Sequence, residues 1–412
     1  MKKKKIIVPL FLLLAVGVYF LVFHKNKRLK YIPDNADAVV LIDTKKLTGQ
    51  YLFSLVTHPS KWSGSKTKSK SSGSLKDSGI RIPDFLQMFH IKDTGFSQWY
   101  TVLELKDSHQ FITYLRKQNF VDKGNNRFQK EQFFFMIEGN YCVAGTSDHA
   151  FETLQKKLLQ NSVHRVWDAD QFIHNTLGSI SFISGQKIQN FSIELNDDEI
   201  EIKNNSNPGI FNGIASKLQK GNQFLELELD KENIRNITRF FNKSIADSLQ
   251  ANSLKATANL RQINDTIVTY EYDDNFNEVE KKTVQKITQP SYMIDIQSDD
   301  PEKTWQYFLS EKWINNENQF TAIPFQPNTI IQNNKGVTIE SIKNTIAMSP
   351  RLNENYILIR NNALLYSSLK TLSINEKRII SDIDYVWYGN QSDHYWVKIK
   401  AKKGELPLIL RW

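Results

Sequence analysis

Apolar side chains recur along this chain in two rhythms, and the switches between them delimit its elements. Four times a run with a spacing of two gives way, at an Asp or Ser, to spacings of three and four. Ala38-Val39-Val40-Leu41-Ile42-Asp43-Thr44 leads to Leu47, Tyr51 and Leu55. Tyr100 to Asp107-Ser108 leads to Phe111, Ile112 and Leu115. Gln223 to Asp230 leads to Ile234, Ile237, Phe241, Ile245 and Leu249, and Ser291 to Ser298-Asp299 leads to Trp305, Phe308, Leu309 and Trp313. Period two places alternate side chains on one sheet face, and spacings of three and four draw a helical stripe. Asp and Ser suit the first position, where a side-chain oxygen accepts from free backbone N–H groups. The pattern predicts four strand–cap–helix units.

Hydrophobic hairpins are expected after two of these units. Phe133–Ile137 and Tyr141–Ala144 flank Gly139-Asn140, and Tyr356–Ile359 and Ala363–Tyr366 flank Asn361-Asn362. Both pairs of residues tolerate positive φ. A further helix follows the first hairpin through Phe151, Leu154 and Leu158. Strand–helix–hairpin–helix therefore occurs in the first half and, more loosely, in the second, which points to an internal duplication. Alternating runs at 180–184, 191–195, 199–203, 255–261, 266–272, 278–287, 383–388, 395–401 and 406–412 predict strands with charged residues on a wet face. The expected fold class is α+β: antiparallel sheets with helices packed on one face. The expected domains are 36–160 and a strand-rich 161–412, with a flexible basic loop at 63–79 inside the first.

Residues 6–23 break both rhythms, with 18 positions and no charge. As a helix they span about 27 Å, close to the hydrocarbon thickness of a bilayer. The run ends in Tyr19-Phe20-Leu21-Val22-Phe23-His24, without the small residues a cleavage site needs. An uncleaved transmembrane helix is expected, after a basic tail at 1–5 and before a stalk at 24–35. The basic flanks are Lys2, Lys3, Lys4 and Lys5 on one side and Lys25, Lys27, Arg28 and Lys30 on the other. A short basic tail before a first apolar helix favours an inner N-terminus and an outer domain, periplasmic if the cell has an outer membrane.

The formal net charge of +9 would suggest nucleic acid until its distribution is read. The first 30 residues hold eight basic side chains and no acid, so 9 − 8 leaves +1 for the rest. Lys61, Lys66, Lys68, Lys70 and Lys76 account for five more, leaving 1 − 5 = −4. A slightly acidic body argues against a nucleic-acid groove. The single cysteine, Cys142, rules out an intrachain disulfide and reads as a small core residue.

Catalytic signatures are missing from the sequence. It contains no G-x-x-x-x-G-K-[ST], H-E-x-x-H or G-x-S-x-G. Ser-x-x-Lys occurs at Ser63/Lys66, Ser65/Lys68 and Ser184/Lys187, without the burial that would activate a lysine. Asp273, Asn275 and Asn277 begin like a calcium loop, but Glu278 replaces its glycine and Val284 its bidentate Glu. His164, Asp168, Asp170 and His174 form the densest set of potential ligands or acid–base groups. Asp382, Asp384 and His394 form a sparser one. Both sets read better as solvated polar connections, and no cofactor or metal is expected.

The stretch Tyr31-Ile32-Pro33-Asp34-Asn35-Ala36-Asp37-Ala38-Val39-Val40-Leu41-Ile42-Asp43 follows directly on the apolar run and its basic flank. An anchor, a Pro-Asp-x-Ala-x-Ala opening and then a strand resemble uncharacterised bacterial membrane-anchored envelope proteins with repeated strand–helix–hairpin units. The resemblance implies an envelope location and carries over no catalytic residue. The function expected is that of a non-enzymatic envelope protein. It would hold the lipid bilayer through residues 6–23 and bind a protein partner or an apolar ligand near the membrane. The alternatives are an envelope hydrolase with a site assembled from distant residues, and a structural tether.

Overall fold

A computed structural model describes residues 25–59, 78–160, 165–204, 221–241, 250–272, 276–323, 328–342, 345–368 and 374–411, with isolated positions at 211, 213, 214, 216 and 372. Residues 6–23 lie outside these. Among the described residues no helix is long and apolar enough to cross a membrane. The chain forms two compact units, residues 1–204 with 404–412, and residues 205–403. The division at 204/205 is later than the 160/161 boundary expected from the sequence, because three strands beyond 160 build onto the first sheet.

The first unit runs β1 (Arg28–Leu29), β2 (Ala36–Asp43), α1 (Thr44–Thr57), β3 (Phe85–Ile91), β4 (Trp99–Glu104) and α2 (Ser108–Lys117). It continues with β5 (Val121–Gly124), β6 (Arg127–Lys130), β7 (Phe133–Glu138), β8 (Tyr141–Gly145) and α3 (Phe151–Leu154), which passes into a π-helical turn at Gln155–Gln160. Then come β9 (Trp167–Asp168), β10 (Gly178–Ser184), β11 (Lys187–Leu195) and β12 (Glu199–Lys203). Every pairing is antiparallel, in the order β12-β11-β10-β2-β3-β4-β8-β7-β6-β5.

The second unit runs β13 (Leu225–Asp230), α4 (Lys231–Phe241), β14 (Ala251–Tyr272), β15 (Glu278–Ser298), α5 (Pro301–Ser310), β16 (Asn328–Asn333), β17 (Gly336–Ser341) and β18 (Asn355–Arg360). It closes with α6 (Ala363–Ser368), α7 (Ile374–Asp382), β19 (Ile383–Gln391) and β20 (His394–Ala401). Its antiparallel order is β20-β19-β18-β13-β14-β15-β17-β16. This order matches the first unit strand for strand, with β13 in the place of β2 and β18–β20 in the place of β10–β12. The β5–β6 hairpin is an addition of the first unit. A last helix, α8 (Leu408–Arg411), returns to the first unit.

Strand–cap–helix junctions form at all four places, the first three at the expected cap residue; Ile245 and Leu249 lie outside the described residues. Asp43, Asp107 and Asp230 accept from the backbone N–H three residues on, at 2.8, 3.0 and 2.9 Å. At the fourth junction the cap is Asp300, which accepts from Lys303 N at 2.9 Å. Ser298, expected there, turns its hydroxyl to Gln250 O and accepts from Thr304 Oγ1. The first hairpin turns at Gly139 with φ +55°.

Four expected elements differ, each for a physical reason. The second hairpin does not form: Asn362 Oδ1 accepts from Leu364 N and starts α6, and Asn361 Nδ2 donates to Ile380 O in the last turn of α7. The strands expected at 255–261 and 266–272 are one strand, because the polar residues between them stay in ladder register with β15. The strand expected at 406–412 gives way to a helical turn after Pro407, with Leu408 N donating to Asp197 O and Arg411 pairing with Asp198 at 2.7 Å. The stalk is part of the fold: β1 pairs with β9, and Leu29 and Ile32 are fully buried.

The helices do not keep to one face either. Phe111 and Leu115 of α2 pack on Ile137 and Cys142. The opposite face, through Val39, Phe89, Val102 and Val143, takes Phe151, Leu154, Trp167 and Phe172. In the second unit Ile234 of α4 and Phe308 of α5 cover Leu229, Ile296 and Ile339, while Phe211 covers Leu358, Trp387 and Trp396 on the other side.

Two outcomes follow for stability. Gly178 opposes Ile42 at the β10–β2 seam, and a Cβ there would lie 2.7 Å from Leu41 O. Gly178→Ala should destabilise the first unit by about 1–3 kcal/mol in urea unfolding. The second concerns Asp230. Burial pulls its carboxyl pKa up, but hydrogen bonds from Asn233 and Asn355 outweigh burial and hold it below the usual 3.8. A depressed carboxyl pKa stabilises the fold above the unfolded value, and the gain disappears as pH falls through the folded one. Asp230→Asn should therefore cost about 1–2 kcal/mol at neutral pH, and the gap to wild type should close in acid below 3.8.

Candidate functional site

Asp168 and Asp170, two of the residues singled out in the sequence, serve architecture. Asp168 accepts from Asp170 N at 2.9 Å and caps the 3₁₀ turn Ala169–Gln171, while Gln171 Oε1 accepts from Asp168 N. Asp170 binds Lys27 Nζ at 2.6 Å, and this hydrogen bond raises the lysine pKa. The pair clasps the segment after the apolar run onto the first unit. His174 is exposed, and His164 lies outside the described residues. Lys25 forms an ion pair with Asp43. Lys30 and Arg28 are exposed, and Lys2, Lys3, Lys4 and Lys5 lie outside the described residues.

Asp384 and His394 sit at opposite ends of the β19–β20 hairpin, whose register pairs Ile383 with Ala401 and Gln391 with His394. Asp382 uses its carbonyl to accept from Lys402 N. Ser184 and Lys187 are the exposed ends of a hairpin turn; Ser63, Ser65, Lys66 and Lys68 lie outside the described residues, as do Asp273 and Asn275. Cys142 is fully buried, and burial drives its thiol pKa far up, which makes it inert. Among the described residues no group of three or more His, Cys, Asp or Glu converges as metal ligands.

A buried charge cluster of the second unit escapes the local pattern, because its members look like an ordinary wet face. Leu225, Leu227 and Leu229 of β13 point to the helical core, so Glu226 and Glu228 point the other way. There they are buried. Glu226 accepts from Arg360 at 2.9 Å, and Arg360 also donates to Gln223 O. Glu228 accepts from the backbone N–H groups of Leu352 and Asn353 at 2.9 and 3.0 Å. Lys255 Nζ lies 3.8 Å from Glu228, and Arg351 pairs with Asp295 at 3.0 Å. Burial lowers the Lys255 pKa, and the Arg351 charge adds to that; Glu228, Asp295 and Glu226 oppose it.

A cavity of about 420 Å³ opens beside this lattice, lined by Gln223, Glu226, Ser349 and Tyr356 among others. Lys255 is not among its lining residues. The carboxylates are committed to arginine or to backbone donors, so the lattice holds charge and shapes the 345–354 connection without offering a free acid–base pair. Glu228→Ala would strand Lys255 and should cost about 3–5 kcal/mol. The double replacement Glu228→Leu with Lys255→Met should recover the part due to the stranded ammonium in the same chemical denaturation assay, and not the part due to the N–H groups of Leu352 and Asn353, which lose their acceptor.

The second unit also carries a long arm. β13 accompanies β14 only as far as Ala258, and β17 accompanies β15 only from Met293 onward. Past that point β14 and β15 continue as a two-stranded ribbon, from Asn259 opposite Ser291 to Tyr272 opposite Glu278. These 272 − 258 = 14 pairs extend roughly 45 Å at strand rise. Pro290, which lacks an N–H, lies where the third strand is lost. α6 packs against the base, where Thr288 Oγ1 donates to Leu364 O. Directly opposed residues share a face, so Tyr272, Tyr270 and Val268 lie on one side with Val284. They are 71%, 64%, 42% and 64% exposed, and Phe276 at the tip is 87% exposed. Glu280 and Lys282, opposite Tyr270 and Val268, form an ion pair on this same face, and Lys281 pairs with Glu271 on the other.

Comparisons of the chain with family models, with curated proteins and with solved structures find no match.

Proposed function

We propose that this chain is a non-enzymatic, membrane-anchored envelope protein whose outward domain grips a protein partner with the β14–β15 arm. The arm carries the reading. An isolated two-stranded ribbon is marginal in water, and the edge of such a ribbon is a template on which a further strand can pair. Extending it well beyond a third strand, with an aromatic and β-branched stripe on one face, makes physical sense when a partner covers it. Strand addition along an edge would supply main-chain hydrogen bonds, and the Tyr270–Tyr272 face would supply the apolar contact.

The anchor rests on the uncharged run 6–23 with lysines on both flanks, and the outward orientation on the short basic tail. The identical strand order of the two units supports an internal duplication. The resemblance of the Tyr31–Asp43 stretch to bacterial envelope proteins agrees with the proposed location.

The test is photo-crosslinking in intact spheroplasts with the full chain, placing the reactive residue at Tyr270 or, on the opposite face, at Thr269. A discrete protein adduct from position 270, weaker from 269, is expected, together with digestion of the domain by added protease. Equal or absent adducts from both faces would overturn the arm as the binding element. Protease protection until lysis would overturn the orientation instead.

A further inference from the structure

Helix α1 is the least covered helix of the first unit among the described residues. Leu52, Phe53 and Val56 are 54%, 70% and 63% exposed, and none of its residues is buried. At 100° per residue Lys45, Gly49, Leu52 and Val56 fall on one stripe, with Phe53 at its margin. A Cβ at Gly49 would meet nothing within 4 Å, so no described residue covers the stripe there. The helix contains two lysines and no acid. Burying such a surface is favourable, and three large apolar residues side by side need a cover.

What covers it is indicated by where the chain comes from. The apolar run ends at residue 23, and Lys25 is ion-paired to Asp43, the residue that caps α1. Two residues of backbone reach about 7 Å at most. The first turn of α1 therefore starts within that reach, plus one ion pair, of the point where the run ends. Asn26 N donates to Asp84 at 2.7 Å, Lys45 pairs with the same carboxylate at 3.1 Å, and Leu29 is fully buried behind them, so the exit point is fastened to the unit. A helix of 14 residues extends about 21 Å from there.

We infer that α1 lies in the headgroup region of the bilayer that residues 6–23 cross, with Leu52, Phe53 and Val56 immersed and the helix axis near the membrane plane. The inference rests on the anchor reading. Exposed apolar side chains of a helix at the interface sink about 5–10 Å into the headgroup boundary, while Lys45 and Lys46 stay bound to Asp84 and to Asn175 O. The helix would fix the height of the first unit above the membrane, a role the anchor alone cannot fill.

The experiment uses the full chain reconstituted in vesicles of phosphatidylethanolamine and phosphatidylglycerol. The buried Cys142 leaves an introduced cysteine free to carry an environment-sensitive dye. Leu52→Cys and Val56→Cys are labelled, with Ile331→Cys, another half-exposed apolar position, as reference. The expected result is a blue-shifted emission at 52 and 56, quenched several-fold more by nitroxide lipids than by aqueous iodide, with the reverse at 331. Gly49→Leu should deepen the shift at 52, since it adds apolar area without a clash. Iodide quenching at 52 and 56 equal to that at 331, in protein that floats with the vesicles, would overturn the inference. Protein that fails to float, or washes off at alkaline pH, would overturn the anchor beneath it.

Discussion

Each unit depends on one long-range pairing. The strand that opens the unit must wait, with one edge unpaired, until the closing meander returns to it: β10 to β2, and β18 to β13. Everything between those strands hangs from the other edge, and every helix occupies a face that this seam defines. At the seam the first unit places Gly178 against Leu41 and Ile42, where the backbones approach too closely for a side chain. Pairings so distant in sequence make the fold slow to assemble. In return the opening strand sits in the middle of its sheet, protected on both edges from pairing with other chains.

The repeated order of strands turns the molecule into two solutions of one packing problem. Both units place a capped helix after the opening strand and a second one after the third strand, and Asp serves as the cap at all four junctions. They differ in what each has added. The first unit inserts the β5–β6 hairpin and uses the segment after the apolar run as structural filler, with Leu29 and Ile32 in its core. The second lengthens its central hairpin into the arm. It also buries an ionic lattice where the first unit has Val39, Phe89 and Val102.

Much of this was legible in the residues. Asp43, Asp107 and Asp230 stand where period two becomes three and four, and a change of rhythm at a capping residue marks a strand handing over to a helix. Asn361-Asn362 misled because the same amides that tolerate a tight turn also start helices, and only the neighbours decide between the two. β3, Phe85–Ile91, escaped because a strand buried on both faces has almost no alternation to show. The faces were harder still. Glu226, Glu228 and Lys255 alternate with leucines as solvent-facing charges would, yet the 345–354 connection closes over them. Exposure is a property of what arrives from elsewhere in the chain, so neither the bare stripe of α1 nor the unsupported length of the arm is written in local pattern.

Cys142 gives the first unit a built-in clock. Its sulfur is walled in by Phe111, Leu115, Phe128 and Ile137. No oxidant or disulfide reagent reaches it while those side chains stay together, so the folded chain is indifferent to the redox state around it. Thiol modification must wait for an opening of that core, and its rate under native conditions measures how often the opening occurs. Because the chain has no other cysteine, the signal comes from that one core and is silent about the second unit.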